Sequence, residues 1–226
     1  MSIYLTVTAH PDDEILGFGG SSYHLSKNGH TVFNCMLSGH VDQRKYRPEI
    51  NELKKNIDDA QKIVGAENAI LGNFPNIAFN TVPHIELVQF IEKIIVKTNP
   101  DYIFTHHSED LNNDHYHTSK ACQAAARLYQ RRSIKKLKGL YFMEIPSSTD
   151  WSFNSNAIGF SPDTFITIGK SGLNRKIKAL SAYKGIMRPY PHPRSIESIE
   201  ALATIRGSQV GRKYCESFQT AMKIID

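Results

Sequence analysis

The sequence predicts an α/β fold: a mostly parallel sheet with helices on both faces. Three observations predict it. Short β-branched runs alternate with amphipathic stretches through the first two thirds of the 226 residues. The amphipathic stretches are long enough for crossover helices, which parallel strands require. The residues able to carry chemistry cluster directly after the strand-like runs, where ligands bind in an open parallel sheet. The length suits one domain, residues 1–226, with a sizeable core.

The elements follow in order. Ile3 to Ala9 reads as the first strand and Glu14 to Lys27 as a helix carrying Gly19-Gly20. Thr31 to Leu37 reads as the second strand. Glu49 to Val64 places Ile50, Leu53, Ile57, Ala60 and Val64 at helical spacing, and Gly65 stops it. Asn68 to Leu71 is a short strand. Val82 to Lys97 has Ile85, Val88, Ile91, Ile94 and Ile95 on its apolar side, broken by Asn99-Pro100. Tyr102 to Thr105 is the next strand, Asp114 to Gln130 a helix, and Leu140 to Met143 a strand. The last third is less regular, with a strand-like Thr164 to Ile168 and helix-like stretches near 172–183 and 195–207.

Composition narrows the class. Hydrophobic residues at 40% and charged residues at 22% are ordinary for a globular protein. No apolar run approaches the roughly 20 residues that span a bilayer, so no membrane span is expected. The first eight residues lack the basic segment of a secretory signal. The three cysteines, Cys35, Cys122 and Cys215, are far apart and odd in number, which suits a reducing cytoplasm. The net charge of +5 is compatible with an anionic substrate. The basic run Arg131, Arg132, Lys135, Lys136 and Lys138 has no interleaved aromatics and reads as a solvated helix end, so no nucleic-acid partner is expected.

Seven of the ten histidines fall after strand ends or in a late loop. The first strand runs into Ala9-His10-Pro11-Asp12-Asp13-Glu14. The fourth runs into His106-His107, then Asp110-Leu111-Asn112-Asn113-Asp114-His115 and His117. A catalytic zinc needs about three His, Asp or Glu ligands and one open position. His10 and Asp13, three apart in a turn entering a helix, can point to one centre, with a third ligand from the fourth loop. Asp12 lies between them, placed to take a proton from water. The competing reading makes Asp12, Asp13 and Glu14 helix-capping acids facing the dipole. His106 and His107 point to opposite sides of an extended chain, so at least one is structural or exposed. His115 and His117 diverge on a helix, so one of them faces the centre.

Together these residues resemble the LmbE-like, or PIG-L, family of zinc-dependent N-deacetylases. Its first signature, AHPDDE, stands unchanged at Ala9 to Glu14, and its second, D-x-N/H-x-D-H, matches Asp110 to His115. Further stretches, Phe74-Pro75-Asn76, Pro191 to Ser195 and Arg206-Gly207-Ser208, look like a bacterial subgroup that deacetylates sugars. The resemblance implies a Rossmann-like fold, zinc ligands His10, Asp13 and His115, and Asp12 as general base. It implies hydrolysis of an N-acyl group, most simply N-acetyl, from an amino sugar or sugar conjugate, with a metal-activated water as nucleophile. A nucleotide-linked or otherwise anionic sugar is among the substrates it allows. Fe²⁺ suits the same ligands as Zn²⁺. Compact homo-oligomers are known in the family, so a homo-oligomer is compatible with it.

One departure matters. Several characterised members carry a histidine at the position of Asn112, which can donate a hydrogen bond but cannot deliver a proton. His192, in the stiff loop Pro189 to Pro193, is assigned the missing function, with a surface loop position as the alternative. Arg44, Arg47, Asn76 and Arg194 are candidates to meet sugar hydroxyls or a phosphate, and ordinary surface polarity is the competing reading for each. Tyr190 and Trp151 are candidates to stack on a sugar or to pack. A nucleotide-dependent oxidoreductase is disfavoured, since Gly17-Phe18-Gly19-Gly20 lies inside a helix and offers no phosphate cradle at the turn. A non-catalytic metal-dependent sugar-binding protein is the alternative function, although binding alone does not need Asp12.

Overall fold

The structure is a computed structural model describing residues 1–43, 48–153 and 159–225. Among the described residues seven strands form one sheet: β1 (Ile3–Thr8), β2 (Thr31–Met36), β3 (Ile70–Leu71), β4 (Tyr102–His106), β5 (Gly139–Met143), β6 (Thr164–Thr167) and β7 (Cys215–Lys223). Their order is β3-β2-β1-β4-β5-β7-β6. The first five pair parallel, and β7 runs antiparallel to both its neighbours. The crossovers leaving β1 go one way to β2, and β4 lies on its other side. That reversal opens a crevice at the carboxyl ends of β1 and β4.

Six α-helices among the described residues cover the sheet: α1 (Asp13–Lys27), α2 (Ile50–Val64), α3 (His84–Thr98), α4 (Asn113–Ala125), α5 (Gly169–Ala182) and α6 (Ile196–Ser208). Two separate cores show that they take both faces. One joins Ile15, Leu53, Ile57, Leu180 and Ile199 from α1, α2, α5 and α6. The other joins Leu87, Ile91, Ala121 and Cys122 from α3 and α4. Gly65 ends α2 at φ 71 and Asn99 ends α3 at φ 48, both left-handed caps. Gly17 and Gly20 stand inside α1 because a Cβ there would come within 2.7 Å of Ile145 and Ile168 side chains. These glycines let the helix sit close to its neighbours.

Two differences from the sequence reading have physical causes. The helix expected over 114–130 ends as α-helix at Ala125. It then tightens into a 3-10 turn (Ala126–Gln130), with Leu128 buried and its carbonyl taking the N–H groups of Arg131 and Arg132. Strand β7 was not anticipated. Its first four residues, Cys215 to Phe218, are all buried, so it lacks alternation and carries an acid, Glu216, where a strand pattern calls for an apolar residue. The basic segment meets acids: Arg131 pairs with Glu92, and Lys135 and Lys138 pair with Asp101.

Candidate functional site

β1 delivers the chain into a tight turn at the crevice. Asp12 precedes α1 at φ 101, a left-handed conformation costing a non-glycine residue on the order of 1–3 kcal/mol. Its neighbours hold it there. Asp12 N–H donates to Glu14 Oε2 at 3.0 Å, and its carbonyl accepts from Ile15 and Leu16 N–H at 3.1 and 2.9 Å. Glu14 is fixed by the Tyr183 hydroxyl at 2.6 Å and by Gln61 Nε2 at 3.1 Å. Gln61 accepts from Asn34, and Asn34 from Thr6, so a buried polar chain runs under the turn. Burial pushes the Glu14 carboxyl up to about 8 despite these donors.

The next residue turns inward. Asp13 Oδ2 lies 3.4 Å from His10 Nδ1 and 3.1 Å from His115 Nε2. All three residues are buried, and one ligand atom from each falls within 4.8 Å of the others. Their outer atoms are already engaged. His10 Nε2–H donates to Asp114 Oδ2 at 2.9 Å, and Asp114 also accepts from Ile77 and Phe79 N–H at 2.7 and 2.9 Å. His115 Nδ1 faces Asp110 Oδ1 at 3.1 Å, and Asp110 accepts from Ser148 Oγ, Thr149 Oγ1 and Asn112 N–H.

These partners set the tautomers. With its outer hydrogen given to a carboxylate, each imidazole presents a lone pair to Asp13. Three electron-pair donors then meet with no hydrogen between them, and His115 Nε2 is buried without a hydrogen-bond partner. A positive charge makes this arrangement favourable: a bound metal ion, or in its absence a proton on His115 Nε2, 3.1 Å from Asp13 Oδ2. The charge balance agrees: burial opposes a charge on His115, but Asp13 and Asp110 outweigh it and push its pKa up to about 10. Burial likewise resists ionisation of Asp13, yet the surrounding imidazoles hold it well below the usual carboxylate range. Two histidines and a carboxylate fit a zinc ion with a position left open, and the carboxylates behind the imidazoles are the expected outer support.

A second grouping, His106, Asp110 and His115, does not offer the same donors. His106 Nε2 accepts from Ala9 N–H at 2.8 Å, so a neutral ring keeps its hydrogen on Nδ1. Burial, with His115 stacked at 3.7 Å, lowers its pKa to about 3. His106 is therefore a neutral plate beneath His115. His107, also buried, faces the Phe142 and Phe160 rings, while His117 is half-exposed on the other side of α4 from His115.

The late loop reaches the turn. Arg194 Nη1 donates to Asp12 Oδ2 at 3.2 Å, and its Nε donates to Ser147 Oγ at 2.7 Å. His192 Nδ1 accepts from Arg194 N–H at 3.0 Å, and its ring meets Trp151 edge-on at 5.5 Å. Burial and the nearby Arg194 and Arg188 lower the His192 pKa. Asn112 caps α4 by accepting from Asp114 N–H at 2.9 Å. Asn76 is buried one residue before Ile77, and its Oδ1 lacks a partner. Tyr190 is exposed. Arg44 and Arg47 lie outside the described residues.

Sequence reasoning gave Asp110 and Asp114 only as motif letters. The structure makes them the groups that orient His115 and His10, and their placement before a histidine on a helix start was the available signal. The support that Glu14 gives Asp12, and the stack of His106 on His115, had no such signal.

Fold and site together define an α/β protein with a His₂-carboxylate centre at the switch point of its sheet. The chain belongs to the PIG-L family, described as GlcNAc-PI de-N-acetylase, which it matches over residues 5–126. No curated protein sequence matches it. Among solved structures it is similar to the conserved protein TT1542 from Thermus thermophilus, at 22% identity and TM-score 0.80, over 100% of this chain and 97% of that one. It is similar to GalB, the 4-carboxy-2-hydroxymuconate hydratase from Pseudomonas putida, at 19% identity and TM-score 0.79, over 100% and 98%. It is also similar to N,N'-diacetylchitobiose deacetylase from Pyrococcus horikoshii, at 18% identity and TM-score 0.74, over 97% and 83%. At these identities the likeness establishes the fold. Among the described residues no helix is long and apolar enough to cross a membrane.

Proposed function

We propose that this protein is a zinc-dependent N-deacetylase that hydrolyses the acetamide of an amino sugar or sugar conjugate. The observation that carries the reading is the convergence of His10 Nδ1, Asp13 Oδ2 and His115 Nε2 as three electron-pair donors beside the strained Asp12. A zinc ion held by these three supplies Lewis acidity toward a water and toward the amide carbonyl.

The chain's own residues do the rest. The Asp12 carboxylate receives the proton released as water adds to the carbonyl carbon, then returns it to the nitrogen as the C–N bond breaks. The products are a primary amine and acetate. His192 stays neutral near neutral pH, and its hydrogen sits on Nε2 because Nδ1 accepts from Arg194. It is therefore suited to donate a hydrogen bond to the oxyanion rather than to supply the proton. Asn112 uses its oxygen as a helix cap, which leaves its amide hydrogens for a substrate oxygen. Asn76 Oδ1 is suited to accept from a sugar hydroxyl. An anionic substituent suits Arg188, which is near enough to His192 to lower its pKa.

The fold also hosts a hydratase, GalB, so the chemistry needs a direct test. The metal-loaded protein is incubated with N-acetyl sugars, nucleotide sugars and sugar glycosides, and released amine and acetate are quantified beside Asp12→Asn. Equimolar amine and acetate, lost in the variant, is the expected result. Hydration of an unsaturated acid with no amine released from any sugar would overturn the reading.

A further inference from the structure

The catalytic turn lies within the family match, yet one of its contacts comes from far beyond residue 126. Asp12 is fixed at its N–H by Glu14 and at its carbonyl by the first turn of α1. Neither bond constrains the side chain. Arg194 does: Nη1 meets Asp12 Oδ2 at 3.2 Å, in an ion pair whose carboxylate side is 2% exposed and whose guanidinium side is 22% exposed.

Arg194 is itself held from several directions. Its Nε donates to Ser147 Oγ at 2.7 Å, its N–H to His192 Nδ1 at 3.0 Å, and its carbonyl accepts from Arg188 N–H at 3.3 Å. Ser147 sits at φ 68, a left-handed conformation that an L-residue rarely adopts. The following residue, Ser195, is buried and caps α6 by accepting from Ser198 N–H at 3.0 Å. One end of the arginine is thus anchored to a helix start, and its middle to a strained turn after β5. Such over-determined geometry is what holds a reacting group in place.

We infer that Arg194 is a positioning residue for Asp12, and that the carboxy-terminal third of the chain completes the site through the relay Ser147–Arg194–Asp12. The planar guanidinium spans the Ser147 hydroxyl and the Asp12 carboxylate at once and fixes the direction of the carboxylate. A lysine keeps the charge but lacks the second donor in a fixed fork. The inference deepens the deacetylase reading in naming Asp12 as a base, and it rests on that reading for its effect on rate.

The test combines structure and kinetics on the zinc-loaded protein. Crystal structures of wild type, Arg194→Ala and Arg194→Lys report the Asp12 carboxylate directly. In Arg194→Ala it leaves the wild-type rotamer, and soaking with guanidinium ion restores it. Zinc content stays at the wild-type level, because the described hydrogen bonds and ion pair of the Arg194 side chain go to Ser147 and Asp12, not to His10, Asp13 or His115. With a substrate from the amine-release panel, kcat falls about 10–100-fold from misplacement of the base. KM stays within about threefold, Ser147→Ala shows a smaller loss, and guanidinium recovers part of kcat in Arg194→Ala. Arg194→Lys is read in its place if the alanine variant does not fold. An unchanged Asp12 rotamer overturns the inference whatever the activity. So does a raised KM at unchanged kcat, which would make Arg194 a substrate contact alone. If wild type releases no amine while Asp12 still moves in the variants, the positioning stands and the deacetylase reading falls.

Discussion

The Nε2–H of His10 meets Asp114 Oδ2 at 2.9 Å, and that bond decides which imidazole nitrogen turns toward Asp13. The same carboxylate ties down the loop before α3 through the N–H groups of Ile77 and Phe79. Burial resists ionisation of Asp114, but its bonds to His10 and to those amides hold its pKa below the ordinary value. One residue therefore sets the His10 tautomer and a wall of the crevice. Asp114→Asn should weaken zinc binding about 10–100-fold, the usual cost of losing an outer partner, with the fold kept. Asp114→Ala should also lower stability, because the buried Phe79 N–H loses its acceptor at about 1–3 kcal/mol, and the part-buried Ile77 N–H loses one at a smaller cost. Zinc competition titration and urea unfolding check the two halves. Wild-type zinc affinity in the asparagine variant would contradict the orienting role.

The proposed division between binding the metal and moving the proton predicts different losses for adjacent residues. Asp12 Oδ2 points to Arg194, while Asp13 Oδ2 points to the imidazoles. Asp12→Ala should keep its zinc and lose about 10²–10⁴ in rate. His10→Ala and His115→Ala should lose zinc itself. Metal analysis of the purified variants, alongside turnover, separates the two. Equal zinc loss in all three would defeat this assignment.

Much of this was legible beforehand, for identifiable reasons. The parallel strands and their helices announced themselves through period and caps, as in α2, where Leu53, Ile57, Ala60 and Val64 are all buried. His10, Asp13 and His115 are marked in the sequence by strand ends and motif spacing, and the structure brings their side chains together. β7 was not found, because a strand buried at four consecutive positions has no alternation to detect. The contact of Arg194 with Asp12 spans 182 residues, and no local pattern encodes such a partnership. Sequence reading offered Arg194 as a candidate sugar or phosphate contact, and only the geometry joined it to Asp12.

The pH dependence of stability should have two limbs in the metal-free protein. The folded-state pKa of His115 lies above its ordinary value of 6.5, near 10. Its contribution is therefore fully present below 6.5 and lost as pH rises toward 10. The folded-state pKa of Asp110 is lowered from 3.8 to about 2: burial opposes this, and His115 outweighs burial. Its contribution is present above 3.8 and lost as pH falls toward 2. Zinc needs the neutral imidazole, so its affinity should rise with pH over the alkaline limb and flatten it. Thermal midpoints across pH, with chelator and with zinc, test this. An alkaline fall of the same size in both would contradict a metal at His115.

The last third of the chain is joined to α1 by a buried ion pair, and its removal should be felt throughout. Lys176 Nζ on α5 donates to Glu216 Oε1 on β7 at 2.7 Å and to the Leu16 carbonyl at 2.6 Å. Glu216 also accepts from Gly20 and Ser21 N–H at 3.0 and 2.7 Å. Both side chains are almost fully buried, so each charge depends on the other. Lys176→Met leaves the carboxylate buried without its cation and should cost about 3–5 kcal/mol. Glu216→Gln leaves the ammonium with the Leu16 carbonyl and should also destabilise. Combining the two removes both charges, and the double variant should be more stable than the sum of the single losses predicts. Urea unfolding of the four proteins gives that coupling energy. Simple additivity would show that the two charges are stabilised independently, by the backbone of α1 rather than by each other.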